Sequence, residues 1–347
     1  MTIELGRLCP RCAAGWRECA RCRYHSPATW PTDTTDYVCP QCVDRFYDHC
    51  AVCSVYTAES RYVSGGTRVC SRCVPRYASC EHCGTLLPRY TDCDSCDAGG
   101  RIWNYNYKPD PRFFGTGPVF LGLELEIVVP EHHYQLGAQT VTDHVRELAY
   151  LKHDSSIEPL GFELVTHPMD YGFAIEHFPW PLLEQLSALG CYSDHTVGIH
   201  VHLSRAGFDS PAHIYRWAKL IYRNESHTVA LARRRSPFAQ FSATARERVK
   251  HTAKDDVRRF GLNRYQAINP HPRASLELRV FAGSLDRQQV QAALAFAAAT
   301  VEYTRGLDSA AVIQHSGWDW HRFTAWVRQH PEYAPLQAEL EALTCAC

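Results

Sequence analysis

Seven Cys-x-x-Cys pairs crowd the first hundred residues and constrain this chain more than any other feature. Fourteen of its seventeen cysteines stand there, as Cys9/Cys12, Cys19/Cys22, Cys39/Cys42, Cys50/Cys53, Cys70/Cys73, Cys80/Cys83 and Cys93/Cys96. Two thiolates three residues apart can wrap one tetrahedral ion from a single tight turn, so the spacing predicts zinc. Short hydrophilic segments of this kind cannot bury enough apolar surface to fold alone, and a metal replaces the core they lack. A disulfide framework is the competing reading, and it suits small secreted chains. Here Met1-Thr-Ile-Glu-Leu-Gly6 lacks the basic start and apolar core of a signal peptide. The expectation is therefore Zn²⁺ in a cytoplasmic protein.

Corresponding cysteines recur at about thirty-one residues, Cys19 to Cys50 and Cys39 to Cys70, which marks an internal repeat. Sixteen residues separate Cys22 from Cys39 and Cys53 from Cys70, and the second gap holds a hairpin-like run with Gly65-Gly66 at its turn. The expected sites are thus Cys19/Cys22/Cys39/Cys42, Cys50/Cys53/Cys70/Cys73 and Cys80/Cys83/Cys93/Cys96, in treble-clef or ribbon-like modules. Cys9/Cys12 is left over, with His25 or the tail pair Cys345/Cys347 as candidate partners. The opposite phase, joining Cys9/Cys12 to Cys19/Cys22 and so on, ranks second because it orphans Cys93/Cys96. Residues 1–100 hold eleven arginines, no lysine and eleven acidic residues. Without clustered positive charge a nucleic-acid partner is disfavoured, and a structural or protein-recognition role is expected.

Beyond residue 100 the cysteines give way to four strand-like stretches: Gly122-Leu-Glu-Leu-Glu-Ile127, Gly161-Phe-Glu-Leu-Val165, Gly198-Ile-His-Val-His-Leu203 and Ser275-Leu-Glu-Leu-Arg-Val280. Period-two alternation sends the apolar residues to one face and Glu124, Glu126, Glu163, His200, His202, Glu277 and Arg279 to the other. Any one such strand could simply have a solvated polar face. Taken together they read differently, because the outward positions are almost all ligands for a hard divalent cation. Carboxylates side by side on a strand repel one another unless a cation sits between them.

The order Glu-x-Glu, Gly-x-Glu, Gly-x-His-x-His, Glu-x-Arg resembles the catalytic core of the glutamine synthetase and glutamate-cysteine ligase superfamily, and more narrowly its amidoligase family. Lys152-His-Asp-Ser-Ser-Ile157 and Arg264-Tyr-Gln-Ala-Ile-Asn269 support the likeness, which covers about residues 105–305. The resemblance implies an α+β fold, an antiparallel sheet cradle with flanking helices, and ATP and Mg²⁺ as cofactors. It assigns Mg²⁺ to Glu124, Glu126, Glu163, His200 and Glu277. It assigns ATP phosphate to His202 with Asn269 nearby, and the transferring phosphoryl group to Arg279. Glu277 belongs to the catalytic set as well as to the metal. Asp154 is either a metal ligand or the acceptor of the amine's proton. The substrates would be a carboxylate and an amine, a peptide or protein among the acceptors left open.

That chemistry also has a physical logic. Joining a carboxylate to an amine in water is uphill, and phosphorylating the acid with ATP brings anions together, so metal ions and a guanidinium are required. No Gly-x-x-x-x-Gly-Lys-Ser/Thr loop occurs, so the nucleotide would rest on the open sheet face. A phosphotransferase on the same kind of fold is one alternative, and a non-catalytic zinc-finger adaptor is another. The expected domains are residues 1–100, a linker at 101–118 rich in glycine, proline and aromatics, and 119–347. The last divides into a core to 305 and C-terminal helices over 306–347. Apolar periodicity predicts helices at about 208–232 and at 286–305 with Asp286 as cap, and one from Trp318 to Leu343 interrupted at Pro331 and Pro335. The run Arg233-Arg-Arg235 follows the first of these, where one guanidinium could reach phosphate. A net charge of −1 gives no hint of a partner, no apolar run is long enough to span a membrane, and oligomeric state stays open.

Overall fold

A spacing of thirty-one residues governs the backbone at the N-terminus. The computed structural model describes residues 10–80, 84–91, 93, 101–254 and 263–345, and the chain divides into two units, Met1–Cys96 and Asp97–Cys347. In the first, the hairpin Arg17–Glu18/His25–Ser26 recurs thirty-one residues later as Asp48–His49/Tyr56–Thr57. A third hairpin, Tyr77–Ser79/Leu86–Pro88, follows. All three carry the same turn: the N–H groups of Cys19, Cys50 and Cys80 donate to the carbonyls of Tyr24, Val55 and Thr85, and those of Arg23, Ser54 and Gly84 donate back to Cys19, Cys50 and Cys80, each at 2.9 Å. The closing residue takes a positive φ every time: 66° at Arg23, 59° at Ser54 and 75° at Gly84. Only the third repeat uses glycine, the residue for which this conformation costs least.

The second half of each repeat varies. Cys39 stands at the start of the helix Pro40–Phe46, with proline in the first turn where its missing N–H costs nothing. Cys70 and Cys73 lead instead into a short 3₁₀ turn, Val74–Arg76. The expected hairpin between Cys53 and Cys70 is present as Ser60–Tyr62 paired with Arg68–Cys70, and Gly65 and Gly66 both have positive φ at its tip.

The second unit is α+β, with one large sheet. Its strands are β1 (Ile102–Trp103), β2 (Phe120–Val128), β3 (Ala149–Lys152), β4 (Gly161–Thr166), β5 (Met169–Asp170), β6 (Gly198–Ser204), β7 (Ile268–Asn269) and β8 (Ser275–Ala282). Their order is β1-β3-β4-β2-β6-β8-β7, with β5 also pairing with β2. Leu121, Leu123, Leu125, Ile127, Ile199, Val201, Leu203, Leu276 and Leu278 are buried on one face, each worth roughly 1.5–3 kcal/mol against exposure. A bulge puts Phe281 opposite Ile199 on that face, in the place expected for Val280. The helix Arg287–Arg305 covers that face and is buried almost all round. Its alanines at 292, 293, 295, 297, 298 and 299 let its backbone approach closely. The Asp286 side chain caps it by accepting from the Gln289 N–H at 3.1 Å. Pro211–Arg223 packs beside it, where Trp217 Nε1 donates to Thr300 Oγ1 at 3.0 Å. Among the described residues no helix is long and apolar enough to cross a membrane.

Three expectations are amended. Segment 101–118 is not a free linker. Ile102 and Trp103 extend the sheet beside Leu151 and Lys152, and Asp170 accepts from the N–H groups of Thr116 and Gly117 at 2.6 and 2.9 Å. Glycine and proline there shape a tied loop. The β1–β3 pair is parallel, whereas the other strand pairs of the sheet are antiparallel; the long return through 104–148 is what a parallel neighbour requires. Pro335 does not interrupt a helix, because it lies in the first turn of Ala334–Cys345, while Pro331 opens a separate 3₁₀ turn.

Candidate functional site

Cross-strand register brings the polar positions of the sheet into rows. Trp103, Lys152, Glu163 and Glu126 face one another across β1, β3, β4 and β2, and Gly198 continues the strand order on β6. A second row runs Tyr150, Val165, Glu124 and His200. A third sets His202 beside Glu277 and Glu277 beside Asn269. Between Ile199 and Val201 the β6–β8 register shifts, so that Arg279 and Val280 both oppose His200. Such a bulge re-aims side chains near functional sites.

The rows converge on overlapping groups of metal-ligating atoms, each within 4.8 Å of one another: Glu124/Glu163/His200, Glu124/His202/Glu277 and Glu126/Asp154/Glu163. Glu126, Glu163, His200 and Glu277 are buried. His200 Nδ1 lies 3.5 Å from Glu124 and 3.6 Å from Glu277, and its Nε2 lies 3.9 Å from Glu126. His202 Nε2 is 3.1 Å from Glu124. Yet both ring nitrogens of His200 and Nε2 of His202 are buried without a hydrogen bond. An orphaned, 3 % exposed imidazole ringed by carboxylates is costly unless it ligates an ion. Five carboxylates, Glu124, Glu126, Asp154, Glu163 and Glu277, gather beside three basic side chains, Lys152, Arg234 and Arg279. The donor set, carboxylate oxygen with one or two imidazoles, suits a hard cation of the Mg²⁺ kind.

Electrostatics within the cluster is strongly uneven. Burial works against ionisation of Glu124, but the charge of His202 and contacts from both imidazoles hold it well below the usual carboxylate range. Burial, with the charge of Glu124 behind it, pushes Glu163 well above that range, against the pull of Lys152. Burial lowers the basicity of His202, yet Glu124 more than compensates and lifts it to about 9. Glu163 is therefore the member that most needs a cation before it can ionise.

Positioning contacts surround these ligands. Glu126 accepts from the Gly198 N–H at 2.6 Å. Glu277 accepts from Asn269 Nδ2 at 2.5 Å and pairs with Arg279, whose Nε donates to the Phe238 carbonyl at 3.1 Å. Asn269, expected near nucleotide, is buried; its Oδ1 also accepts from the His271 N–H, so it orients Glu277. His202 Nδ1 lies 2.9 Å from Ser275 Oγ, and Nε2 joins the metal-ligating atoms. Asp154 Oδ1 accepts from Ser156 N and Oγ, both at 2.8 Å.

All nine expected side chains of this site, Glu124, Glu126, Asp154, Glu163, His200, His202, Asn269, Glu277 and Arg279, fall in the one assembly. The sequence does not single out Lys152, and it marks the run Arg233-Arg-Arg235 without showing which guanidinium turns inward; Lys152 and Arg234 both belong to the assembly. Lys152 Nζ lies 3.5 Å from Glu163; the alternation Tyr150-x-Lys152 was the available signal. Arg234 is 5 % exposed and donates through Nη1 to the carbonyls of Arg279 and Phe281 at 3.4 and 3.3 Å. It was hidden in Arg233-Arg-Arg235 because Arg233 ends its helix in a left-handed conformation, which turns the next residue inward.

In the first unit, Cys19/Cys22/Cys39/Cys42 and Cys50/Cys53/Cys70/Cys73 form two four-thiol clusters, in the expected phase. Cys22 and Cys39 sulfurs are 3.8 Å apart, and Cys53 and Cys70 sulfurs 3.7 Å. A tetrahedron of bonds about 2.3 Å long has edges of about 3.8 Å, so zinc fits both clusters. N–H groups of Cys22 and Cys39 overcome burial to lower the Cys19 thiol to about 6, and those of Cys70 and Cys53 do the same for Cys50, which favours the metal-binding thiolate. Cys9, Cys83 and Cys96 lie outside the described residues, as do the side chains of Cys12, Cys345 and Cys347. No family model matches this chain, and no curated protein matches it.

Proposed function

We propose that the second unit is an ATP- and Mg²⁺-dependent carboxylate-amine ligase of the glutamine synthetase-like kind, carried with a zinc-stabilised array of treble-clef or ribbon type. The observation behind this reading is the file of overlapping carboxylate and imidazole groups on one sheet face, bordered by Arg279 and Arg234. Glu124, Glu126, Glu163, His200, His202 and Glu277 would hold the divalent ions. Bound there, those ions would neutralise phosphate charge and orient ATP for transfer.

The protein's own groups supply the rest. A substrate carboxylate oxygen attacks the γ-phosphorus and ADP leaves; Arg279, steadied by Glu277 and the Phe238 carbonyl, offers a guanidinium to the charge that develops. The amine then attacks the acyl carbon and phosphate departs. Asp154, anchored through Oδ1 by Ser156, takes the amine's surplus proton with its other oxygen when no ion claims that oxygen. The zinc array would recognise a partner protein or stiffen the chain, in the cytoplasm.

Product accounting tests the reading. With Mg-ATP, an acid and an amine, a ligase forms ADP and free phosphate in equal amounts, and only when both substrates are present. ADP with a stable phosphorylated product identifies a phosphotransferase instead, and neither product identifies an adaptor. Arg279→Ala should lower kcat by about a hundredfold with little change in ATP binding. Loss of ATP binding with kcat intact would make Arg279 a ground-state anchor.

A further inference from the structure

An aromatic wall stands at one end of the carboxylate file. Trp103 and Tyr107 stack face to face, their centroids 3.8 Å apart and planes within 8°. Tyr107 meets Tyr150 edge-on at 5.4 Å, and Tyr150 tilts against His167 at 5.7 Å. Register places Trp103 beside Lys152 and Tyr150 one strand from Val165, which faces Glu124, so both rings rise from the metal-ligating face of the sheet. Trp103, Tyr107 and Tyr150 are half-buried. The same corner holds Asp154 and Glu163.

The site is therefore polarised along the sheet. Arg279 and Arg234 lie at the β6–β8 end, whereas the β1–β3–β4 end sets aromatic faces beside Asp154 and Glu163, with Lys152 paired to Glu163 and Arg264 Nη1 donating to the Tyr105 hydroxyl at 3.0 Å. One ammonium is held there already. Lys152 Nζ sits 3.5 Å from Glu163 and 5.3 Å from the centroid of the Tyr105 ring, the two contacts an alkylammonium ligand would use.

We propose that this corner is the docking site of the amine substrate, and that it takes a primary ammonium carrying a flat or apolar group in preference to ammonia. Naming the ligand a substrate rests on the ligase reading; the selectivity for an apolar ammonium follows from the wall itself. Ammonia has no apolar surface to lay against an aromatic wall. Trp103 and Tyr107 act as specificity residues, and Asp154 beside them receives the proton of the amine they position.

The test is calorimetric titration of the full chain in saturating Mg²⁺ with phenethylamine, ethylamine, ammonium chloride and phenylacetate, and separately with Mg-ATP. Phenethylammonium should bind at least about tenfold more tightly than ethylammonium or ammonium, and phenylacetate should not compete with it. Trp103→Ala and Tyr107→Ala should each weaken phenethylammonium about tenfold and leave Mg-ATP affinity within about twofold, while Trp103→Phe keeps most of the binding. Equal affinity for all three cations, competition by phenylacetate, or indifference to both alanine variants in protein that still binds Mg-ATP would overturn the proposal. If phenethylammonium binds as described but no acid and amine pair yields ADP, the ligase reading fails and the cation site stands. If ADP forms with ammonia and phenethylamine alike and Trp103→Ala changes neither, the ligase stands and this inference fails.

Discussion

Gly198→Ala probes the coupling between the sheet and its ligands. A Cβ at position 198 would stand 2.1 Å from Nη1 of Arg234 and 2.9 Å from Nε2 of His200. An exposed guanidinium would swing aside at little cost. Arg234 cannot, because it is 5 % exposed and its Nη1 is held by the carbonyls of Arg279 and Phe281. Moving it forfeits charge-assisted hydrogen bonds worth about 1.5–3 kcal/mol, and forcing a methyl into packed space costs about 1–3 kcal/mol more. The expected loss is about 3–5 kcal/mol, which in a unit of this size is a drop in Tm of about 6–20 °C. Differential scanning calorimetry of the full chain measures it, and Mg²⁺ titration of the same samples should show weakened binding because His200 is displaced. In the double variant Gly198→Ala/Arg234→Ala the clash with arginine is gone, so the combined loss should fall short of the two single losses added. A Gly198→Ala protein that melts within about 2 °C of the parent would refute the claim that Arg234 and His200 fill the space above this glycine.

Three further outcomes are expected. Elemental analysis should find at least three zinc ions per chain, and Cys39→Ser with Cys42→Ser should remove one of them while His200→Ala removes none; a zinc-free chain with disulfides would overturn the metal reading of the first unit. Ser54→Gly should stabilise that unit by about 0.5–1 kcal/mol, since Ser54 sits at a φ of 59° where the third repeat already has Gly84; lower resistance to zinc chelators in the variant would contradict this. Burial raises the pKa of Asp170, but the N–H groups of Phe173, Thr116 and Gly117 outweigh it and hold the carboxyl below its ordinary 3.8. A lowered carboxyl contributes stability that is present above 3.8 and is lost as pH falls through the folded value, so Asp170→Asn should flatten the acid limb of the melting profile. An acid limb that Asp170→Asn leaves unchanged would count against the assignment.

The sequence by itself determined the periodic features. Thiol spacing and a thirty-one-residue repeat specify two four-cysteine clusters, because a tetrahedral ion tolerates few ligand spacings. Strict alternation specifies which side of each strand carries Glu124, Glu126, Glu163, His200, His202, Glu277 and Arg279, because a pleated strand has a period of two. Tertiary structure alone decided which strands are neighbours, and hence that Glu126 faces Glu163 while Glu124 faces His200. It also decided that Ile102–Trp103 joins the sheet in parallel, carrying an aromatic wall to a site that local pattern would have left without one. Arg234 was unreadable for the same reason. Whether a guanidinium in Arg233-Arg-Arg235 meets water or a carbonyl is set by one left-handed residue and a bare glycine on another strand, and both are properties of packing.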